Sequence, residues 1–549
     1  MKIVLATLNS KYIHSNLSLW CLKAGADCFC SVNHEISVIE STINSKIECF
    51  IADILDKKPD LIAFSCYIWN ISLILEICNE IKQKHNCILV LGGPEVEYRR
   101  KDILERNRCV DFVLHGEGEW SFSSLLDTLS ESKEFSLSKG VSYIKNNVYF
   151  SSEAEGSSAT PPSPYCDEYF QCLNGRIAYI EASRGCPFNC TYCLSGQLKG
   201  LRYFDYNQVC NDLIKLSESG TKTIKFIDRT FNADEGKANA ILEFIYINSQ
   251  HFIDNGICIH FEIAADILRE STMELLAKMP EGLCQLEIGI QSYNKNTLLS
   301  VRRKSDVDKI NKNIERLKNN GNIHIHTDLI AGLPFEDINS FRMSFNKAFE
   351  LRPHMLQLGF LKLLYGADIT KNIENFNYCY SDKPPYEIIE NQWLSESDLK
   401  VVKACEASLD RLYNSGRFLM TTEFLLNNTD MDAFEIFSSF GLAYSFDKIS
   451  LADFTEAIFD YFADFCDSKK LKENILCDIA SISANIKIPE KLKIYDVRYK
   501  TLKKHYSEKL KKNVRIVILD SIDKVFVVNT DKKNVISGRY NYEIYDLSN

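Results

Sequence analysis

The feature that most limits what this chain can fold into is an alternation of short apolar runs with helical stretches, and it occurs twice. In the first block KIVLATL, PDLIAFSC, CILVLGG and VDFVLHG are strand candidates. Between them, SNLSLWCLKAGA and ISLILEICNEIKQK carry apolar residues at helical spacing. That order predicts a parallel, doubly wound sheet over residues 1–150. Ligands of such sheets sit beyond the carboxyl ends of the strands, here residues 9–15, 65–70, 92–95 and 116–119. Each of these loops carries the small or polar residues that a buried ligand's polar groups would need.

The second block starts near Arg176. IAYIEAS, TIKFID, HFEIAA, CQLEIGIQS, IHIHTDLIAG and HMLQLGFLKLL are six strand candidates, mostly separated by helical stretches such as FNADEGKANAILEFIYINSQ. This predicts a full or partial (β/α) barrel over residues 171–375, with its chemistry at the carboxyl ends of the strands. The Gly-, Ser- and Pro-rich GSSATPPSPY, residues 156–165, marks a linker between the blocks, placed at 151–170. After residue 375 the pattern becomes mainly helical. Ser395 and Asp398 form a capping-box start, Leu399, Val402, Leu409 and Leu412 share a face, and Gly416 follows the end. A further helix is expected over 451–466, and VRIVILD and KVFVVNT form a terminal hairpin within the last domain, 376–549. No solenoid repeat is present.

Composition narrows the function classes. The 549 residues carry a formal charge of −10, which argues against nonspecific attraction to nucleic acid or anionic lipid. No apolar run reaches the roughly 18 to 20 residues that cross a bilayer, and MKIVLATLNS does not read as a signal peptide, so the expected location is the cytoplasm. A reducing compartment makes the 20 cysteines thiols rather than a disulfide framework, most of them small buried hydrophobes. Cys28 and Cys30, a bare C-x-C pair, are read the same way.

RGCPFNCTYCLSG, residues 184–196, places Cys186, Cys190 and Cys193 in a C-x3-C-x2-C array. Thiolate sulfur binds soft metals and iron-sulfur clusters, and a tight loop can present three thiolates to three corners of one cubane. Structural zinc normally takes four ligands, so a zinc reading needs a His or Cys from elsewhere. Three unrelated buried thiols are the remaining alternative.

RGCPFNCTYC resembles the signature loop of the radical S-adenosylmethionine (radical SAM) superfamily, which lies just after the first barrel strand, as here. The resemblance implies that Cys186, Cys190 and Cys193 hold a 4Fe-4S cluster whose fourth iron is left for the amino and carboxylate groups of SAM. It implies that Tyr192 lies near the adenine. Asp228, Arg229 and Asn232 in IKFIDRTFNAD stand where the family usually contacts SAM's amino group, in a form that departs from the common Gly-Gly-Glu. Glu262 in HFEIAAD stands at the ribose position. Glu287, Gln291 and Ser292 in LEIGIQS face the site in a strand's alternation. Asp328 and the Gly332, Leu333, Pro334 run resemble the segment beside the SAM pocket.

The first block is similar to the cobalamin-binding domain that precedes the barrel in one large radical SAM branch. The matching residues are Ser65, Gly92 and Gly93 in LGGPE, and Gly116 and Glu117 in DFVLHGEGEW. Glycines there let the backbone approach a flat macrocycle or its nucleotide tail. The D-x-H-x-x-G motif that supplies a lower axial His in some cobalamin proteins is absent; KYIHSN puts His14 at about the corresponding place. Many members of the branch bind cobalamin with no protein ligand below the cobalt. QLGFLKLLYG, KPPYEIIE and YNSGRF further resemble an uncharacterised bacterial family of this branch with a C-terminal domain of unknown function. Lys362, Tyr386, Glu387 and Arg417 are its candidates for closing the site or contacting substrate.

What the resemblance implies is an oxygen-sensitive enzyme that takes an electron from a low-potential donor and cleaves SAM to methionine and a 5'-deoxyadenosyl radical. Cobalamin-dependent methylation of an unactivated carbon leads, ahead of ring formation or rearrangement, and the substrate is not legible. A transfer RNA methylthiotransferase would have a Cys just after the first strand, where this chain reads TLNSKY. A non-catalytic cobalamin- or metal-binding regulatory module would need no SAM-facing strand ends, of which the chain offers four.

Overall fold

Lys2–Asn9 (β1) is apolar along nearly its whole length and buried from Ile3 onward, as a central strand covered on both faces must be. Around it lie Glu35–Thr42 (β2), Leu61–Ser65 (β3), Ile88–Gly92 (β4), Phe112–Leu114 (β5), Val141–Lys145 (β6) and Val148–Ser151 (β7). The strand order is β2-β1-β3-β4-β5-β6-β7; the first five run parallel, and β6 and β7 are antiparallel. The expected doubly wound sheet is therefore present, with three strands more than the four sequence candidates. β2 escapes a search for apolar runs because it is an edge strand, EISVIEST, interrupted by Glu and Ser and only partly buried.

The computed structural model describes residues 1–131, 138–154, 159–197, 200–483 and 488–547. Within the expected linker, residues 155–158 lie outside the described residues. The described chain divides into two compact units: Met1–Lys278 with Lys362–Asn375 and Tyr380–Ile388, and Met279–Leu361 with Phe376–Cys379 and Ile389–Asn549.

In the first unit each face of the large sheet has its own apolar core. Phe64, Ile74, Ile77 and Ile81 belong to one, built on the helix Ile71–Lys84, whose Ile71, Ile74, Ile77, Cys78 and Ile81 fall on one stripe. Ile3, Leu5, Leu19, Phe122 and Leu125 belong to the other, under the helices Leu17–Phe29 and Gly118–Ser130. Each such side chain contributes about 1.5 to 3 kcal/mol of burial, which fixes strand register, and register places the loops. The unit continues with Ile177–Ile180 (β8), Ser183–Gly185 (β9), Leu201–Tyr203 (β10), Thr223–Phe226 (β11) and Cys258–Ile263 (β12). β8, β11 and β12 pair in parallel, and β9 with β10 antiparallel.

The second unit supplies Cys284–Gln291 (β13), His324–Ala331 (β14) and Met355–Phe360 (β15), again parallel. All six strands expected in the second block are thus present. The helix Val307–Asn320 packs Ile310, Ile314 and Leu317 inward and ends on Gly321. Beyond residue 389 the chain is mainly helical. Ser395 and Asp398 form the expected capping box of Glu396–Leu409, and Phe440 sits among Phe446, Phe454, Tyr461 and Phe462. The expected hairpin is two strands of a three-stranded antiparallel sheet, Val514–Leu519, Lys524–Lys533 and Tyr540–Asp546.

A buried ion pair holds this region together. Arg539 donates to Asp478 at 2.7 Å, with side chains 9% and 0% exposed, and Thr421 donates to the same carboxylate through both its amide and its hydroxyl. Burial pushes the Asp478 carboxyl above its usual range, against the pull of Arg539. Removing one partner leaves an uncompensated charge in the core, so Arg539→Met is expected to cost about 3 to 5 kcal/mol. The check is the urea midpoint of the variant; an unchanged midpoint would show that the pair does not hold the unit.

Candidate functional site

The three cysteines lie on a loop whose base is closed by β9 and β10, with Leu201 paired to Gly185 and Tyr203 to Ser183. The backbone then turns on itself: the amide of Cys193 donates to the Cys190 carbonyl at 3.2 Å, and that of Gly196 to Cys193, also at 3.2 Å. Cys190 is buried, Cys186 and Cys193 are half-buried, and Cys186 Sγ lies 3.5 Å from Thr230 Oγ1. Tyr192 is half-buried between the last two cysteines. Elsewhere burial raises the thiols of Cys66, Cys78, Cys405 and Cys477, and pushes Cys30 up to about 11. Thiols of that kind are structural. A half-open loop presenting three thiols is the donor set that a cluster with one open corner takes.

Arg184, two residues before Cys186, ties this loop to the large sheet. Its Nε and Nη2 donate to both oxygens of Glu181 (2.8 and 2.9 Å), Nη2 and Nη1 to Glu119 (2.6 and 3.2 Å), and Nη1 to Glu117 (3.0 Å). Arg202 adds a 2.9 Å bond to Glu117. Burial alone would raise the Glu119 carboxyl; Arg184 overrides it and holds Glu119 below its usual range. Burial wins at Glu181, which is raised. Glu117, expected at the cobalamin, has its carboxylate in this network.

The other expected cobalamin residues fall at the carboxyl edge of the sheet. Ser65 Oγ lies 2.9 Å from Ser18 Oγ, which also accepts from Tyr67 Oη at 3.2 Å. Gly93 has φ +107°, and a Cβ there would stand 2.6 Å from the Cys66 carbonyl, so only glycine fits. Gly92 precedes it at the end of β4, and the Gly116 amide donates to Glu97 at 3.2 Å. His14 follows β1; its Nδ1 is 2.7 Å from Tyr179 Oη, and burial, then Lys11, Lys225 and Arg176, lower the pKa of its imidazole. Apolar-run reading missed Tyr67 and Trp69, whose rings stack at 4.5 Å beyond β3 with Trp69 41% exposed. The i, i+2 aromatic pair in SCYIWN was the available signal.

Of the expected SAM residues in the first unit, Asp228 is buried and accepts from the Ala182 amide (2.9 Å) and Ser183 Oγ (2.5 Å). Burial pushes it up to about 7. It anchors the segment that leads into the cysteines. Asn232 exchanges two hydrogen bonds with the Ala264 backbone, and Arg229 is exposed. Glu262 pairs with Lys225 at 3.3 Å.

In the second unit Glu287 stands directly opposite His326 in the β13/β14 register, and Asp328 is two residues on. The donor atoms of these three lie within 4.8 Å of one another, with His326 Nε2 2.8 Å from Asp328 Oδ1. His326 was missed, although period-two alternation in IHIHTD puts it on the face of Asp328. Gln291 sits at a bulge with φ +73°, and its Oε1 is buried with no hydrogen-bond partner among the described residues. Its amide folds back so far that a Cβ at Gly289 would meet Nε2 at 2.1 Å. Lys362 and Glu387 form a bridge within the first unit, and Arg417 is exposed.

Glu336, also missed, is fully buried and accepts from Ser292 Oγ (2.6 Å) and Ser344 Oγ (2.8 Å), fixing the end of β13. Burial pushes it from 4.5 to about 7. The folded state therefore holds a proton that the unfolded chain has lost: the resulting stability is full below pH 4.5 and gone above about pH 7. Over that window the unfolding free energy should fall by about 3 kcal/mol, and Glu336→Gln should remove this component of the slope. Denaturation across the window checks it; equal slopes in both proteins would refute it.

Residues 3–126 match the B12 binding domain family, residues 180–348 the radical SAM superfamily, and residues 374–544 a family described as protein of unknown function (DUF4080). The cobalamin-dependent radical SAM methyltransferase TokK of Streptomyces tokunonensis is 25% identical over 74% of this chain and 62% of its own length. The 2-(S-pantetheinyl)-carbapenam-3-carboxylate methyltransferase of Streptantibioticus cattleyicolor is 27% identical over 54% of this chain and 46% of its own. The chain thus spans less than two thirds of either relative. In fold it is similar to the cobalamin-dependent S-adenosylmethionine radical enzyme OxsB, with a TM-score of 0.61 at 16% identity over 92% of this chain and 84% of that one. Among the described residues no helix is long and apolar enough to cross a membrane. The chain thus carries, in order, a B12 binding domain, a radical SAM domain headed by the cysteine loop and a DUF4080 region, and in that combination it resembles the cobalamin-binding-domain branch of the radical SAM superfamily.

Proposed function

We propose that the chain is a cobalamin-binding radical SAM enzyme that methylates an unactivated carbon of an as yet unidentified substrate, using electrons from a low-potential donor. The observation that carries this reading is Arg184: one guanidinium joins the cysteine loop to Glu117 and Glu119 beyond β5, so the two cofactor loops are one construction. Both curated relatives are named as methyltransferases, and OxsB was solved with aqua-cobalamin and S-adenosylmethionine bound.

Cys186, Cys190 and Cys193 would hold the cluster; Tyr192, Asp228, Glu262, Glu287, Gln291 and Asp328 are assigned to SAM; the loops at His14, Ser65, Gly92, Gly93, Gly116 and Glu117 are assigned to cobalamin. When bound, these groups supply one-electron cleavage of SAM to a 5'-deoxyadenosyl radical and a transferable methyl group. The chain's own residues orient and exclude. Asp228 and Thr230 fix the approach to the thiols, Gln291 offers its orphaned amide oxygen to a donor, and Arg184 sets the separation of the loops. Acidic balance argues against a nucleic-acid substrate. The methylthiotransferase reading lacks its cysteine after β1.

Reconstituted without oxygen, the protein is expected to take up iron and sulfide, retain hydroxocobalamin and cleave SAM in a reductant-dependent way. The triple variant Cys186→Ala, Cys190→Ala, Cys193→Ala should hold no cluster iron and cleave none. Zinc in place of iron would sink the radical reading, and iron with SAM cleavage but no retained cobalamin would remove only methyl transfer. Arg184→Gln leaves three carboxylates facing one cation; iron retention should fall at least severalfold, measured per folded protein.

A further inference from the structure

Lys362–Asn375 and Tyr380–Ile388 belong to the first unit although they follow the barrel strands in sequence. Tyr386 lies at their centre, 1% exposed, with φ +58°, a conformation that a non-glycine residue keeps only where its surroundings hold it. Its hydroxyl donates to Glu95 Oε1 and accepts from Arg99 Nη1 at 2.9 Å. Arg99 also reaches Glu95 Oε1 at 3.3 Å and Asp102 at 3.2 Å, and its guanidinium lies 4.2 Å over the ring of Tyr365. Tyr365 meets Tyr386 edge to face at 5.1 Å, closing a ring of four side chains.

The position of that ring gives it a role. Glu95 belongs to the short helix Pro94–Glu97 that Gly93 starts directly after β4, and Glu97 accepts from the Gly116 amide after β5. The ring therefore fixes both loops at the carboxyl edge of the sheet. The same segment also reaches the cysteine loop, where the Ile369 amide donates to the Thr191 carbonyl at 2.8 Å.

We propose that Tyr386, through Glu95 and Arg99, is a positioning residue for cobalamin: the strap around it locks the loops after β4 and β5 in their binding shape and ties them to the cysteine loop. This rests on the cobalamin reading above. Methyl transfer requires the two cofactors at a fixed separation, and a displacement of about 1 Å can cost roughly a hundredfold in rate. A strap joining both loops supplies that constraint. Tyr386→Phe removes one hydroxyl and leaves a buried carboxylate with Arg99 alone.

The test uses the full chain reconstituted with iron and hydroxocobalamin. Tyr386→Phe should release hydroxocobalamin about tenfold faster on gel filtration, as loss of a hydrogen bond to a charged group predicts, and Tyr386→Phe with Glu95→Gln should recover part of the loss. Iron content and circular dichroism report folding. Independently of any variant, hydroxocobalamin should slow amide exchange in 94–99 and 380–388 of the unmutated protein. If the unmutated protein retains no hydroxocobalamin, the cobalamin reading fails and this inference with it. If it retains the cofactor while release from Tyr386→Phe and exchange in 380–388 are unchanged, only this inference is overturned. Should the variants misfold, the exchange result decides.

Discussion

The first unit depends on the Arg184 guanidinium. Its five N–H donors meet three carboxylates, from Glu117, Glu119 and Glu181, with Glu119 only 4% exposed. Withdrawing that many charges from water is costly, and the cost is recovered only when every partner is in place. The arrangement is therefore all or nothing, and it fixes the sequence leading into the cysteines against the helix that follows β5. A lysine could not substitute, since a point charge lacks the planar fork that serves three carboxylates at once.

Elsewhere the chain separates inert from reactive groups by burial. Cysteines inside the sheet and helix cores have raised thiols and act as small hydrophobes, whereas the motif cysteines sit on a half-open loop. The strands of the second unit carry what the cores exclude: Glu287, Asp328 and a buried imidazole at His326 within β13 and β14, and the buried amide oxygen of Gln291 at the carboxyl end of β13. The strain at Gln291 falls at the carboxyl end of β13, where the strand beneath can sustain it, and that at Tyr386 is held by the side chains around it.

Much of this was legible from local pattern. All six strands of the second block, the capping box at Ser395 and the doubly wound sheet follow from periodicity and caps, which are short-range properties. β2 and the last antiparallel strand were not, because an edge strand is only half covered and its sequence need not be apolar. Asp228 and Asn232 could be placed at strand ends from sequence; that each holds neighbouring backbone depends on which strands pair. Glu336 carries no motif signal, since its two serines lie 44 and 8 residues away.

The sequence by itself determined the chemistry: three thiols at C-x3-C-x2-C spacing, βα alternation in two blocks and glycines at the turns, all encoded within a few residues of one another. The tertiary structure alone decided how the cysteine loop and the loops at the edge of the large sheet are joined. Arg184 meets partners 67 and 65 residues before it, and Tyr386 meets Glu95 across 291 residues. No local pattern announces such pairs, because a charge or hydroxyl shows its partner only once folding has removed the water that would otherwise satisfy it.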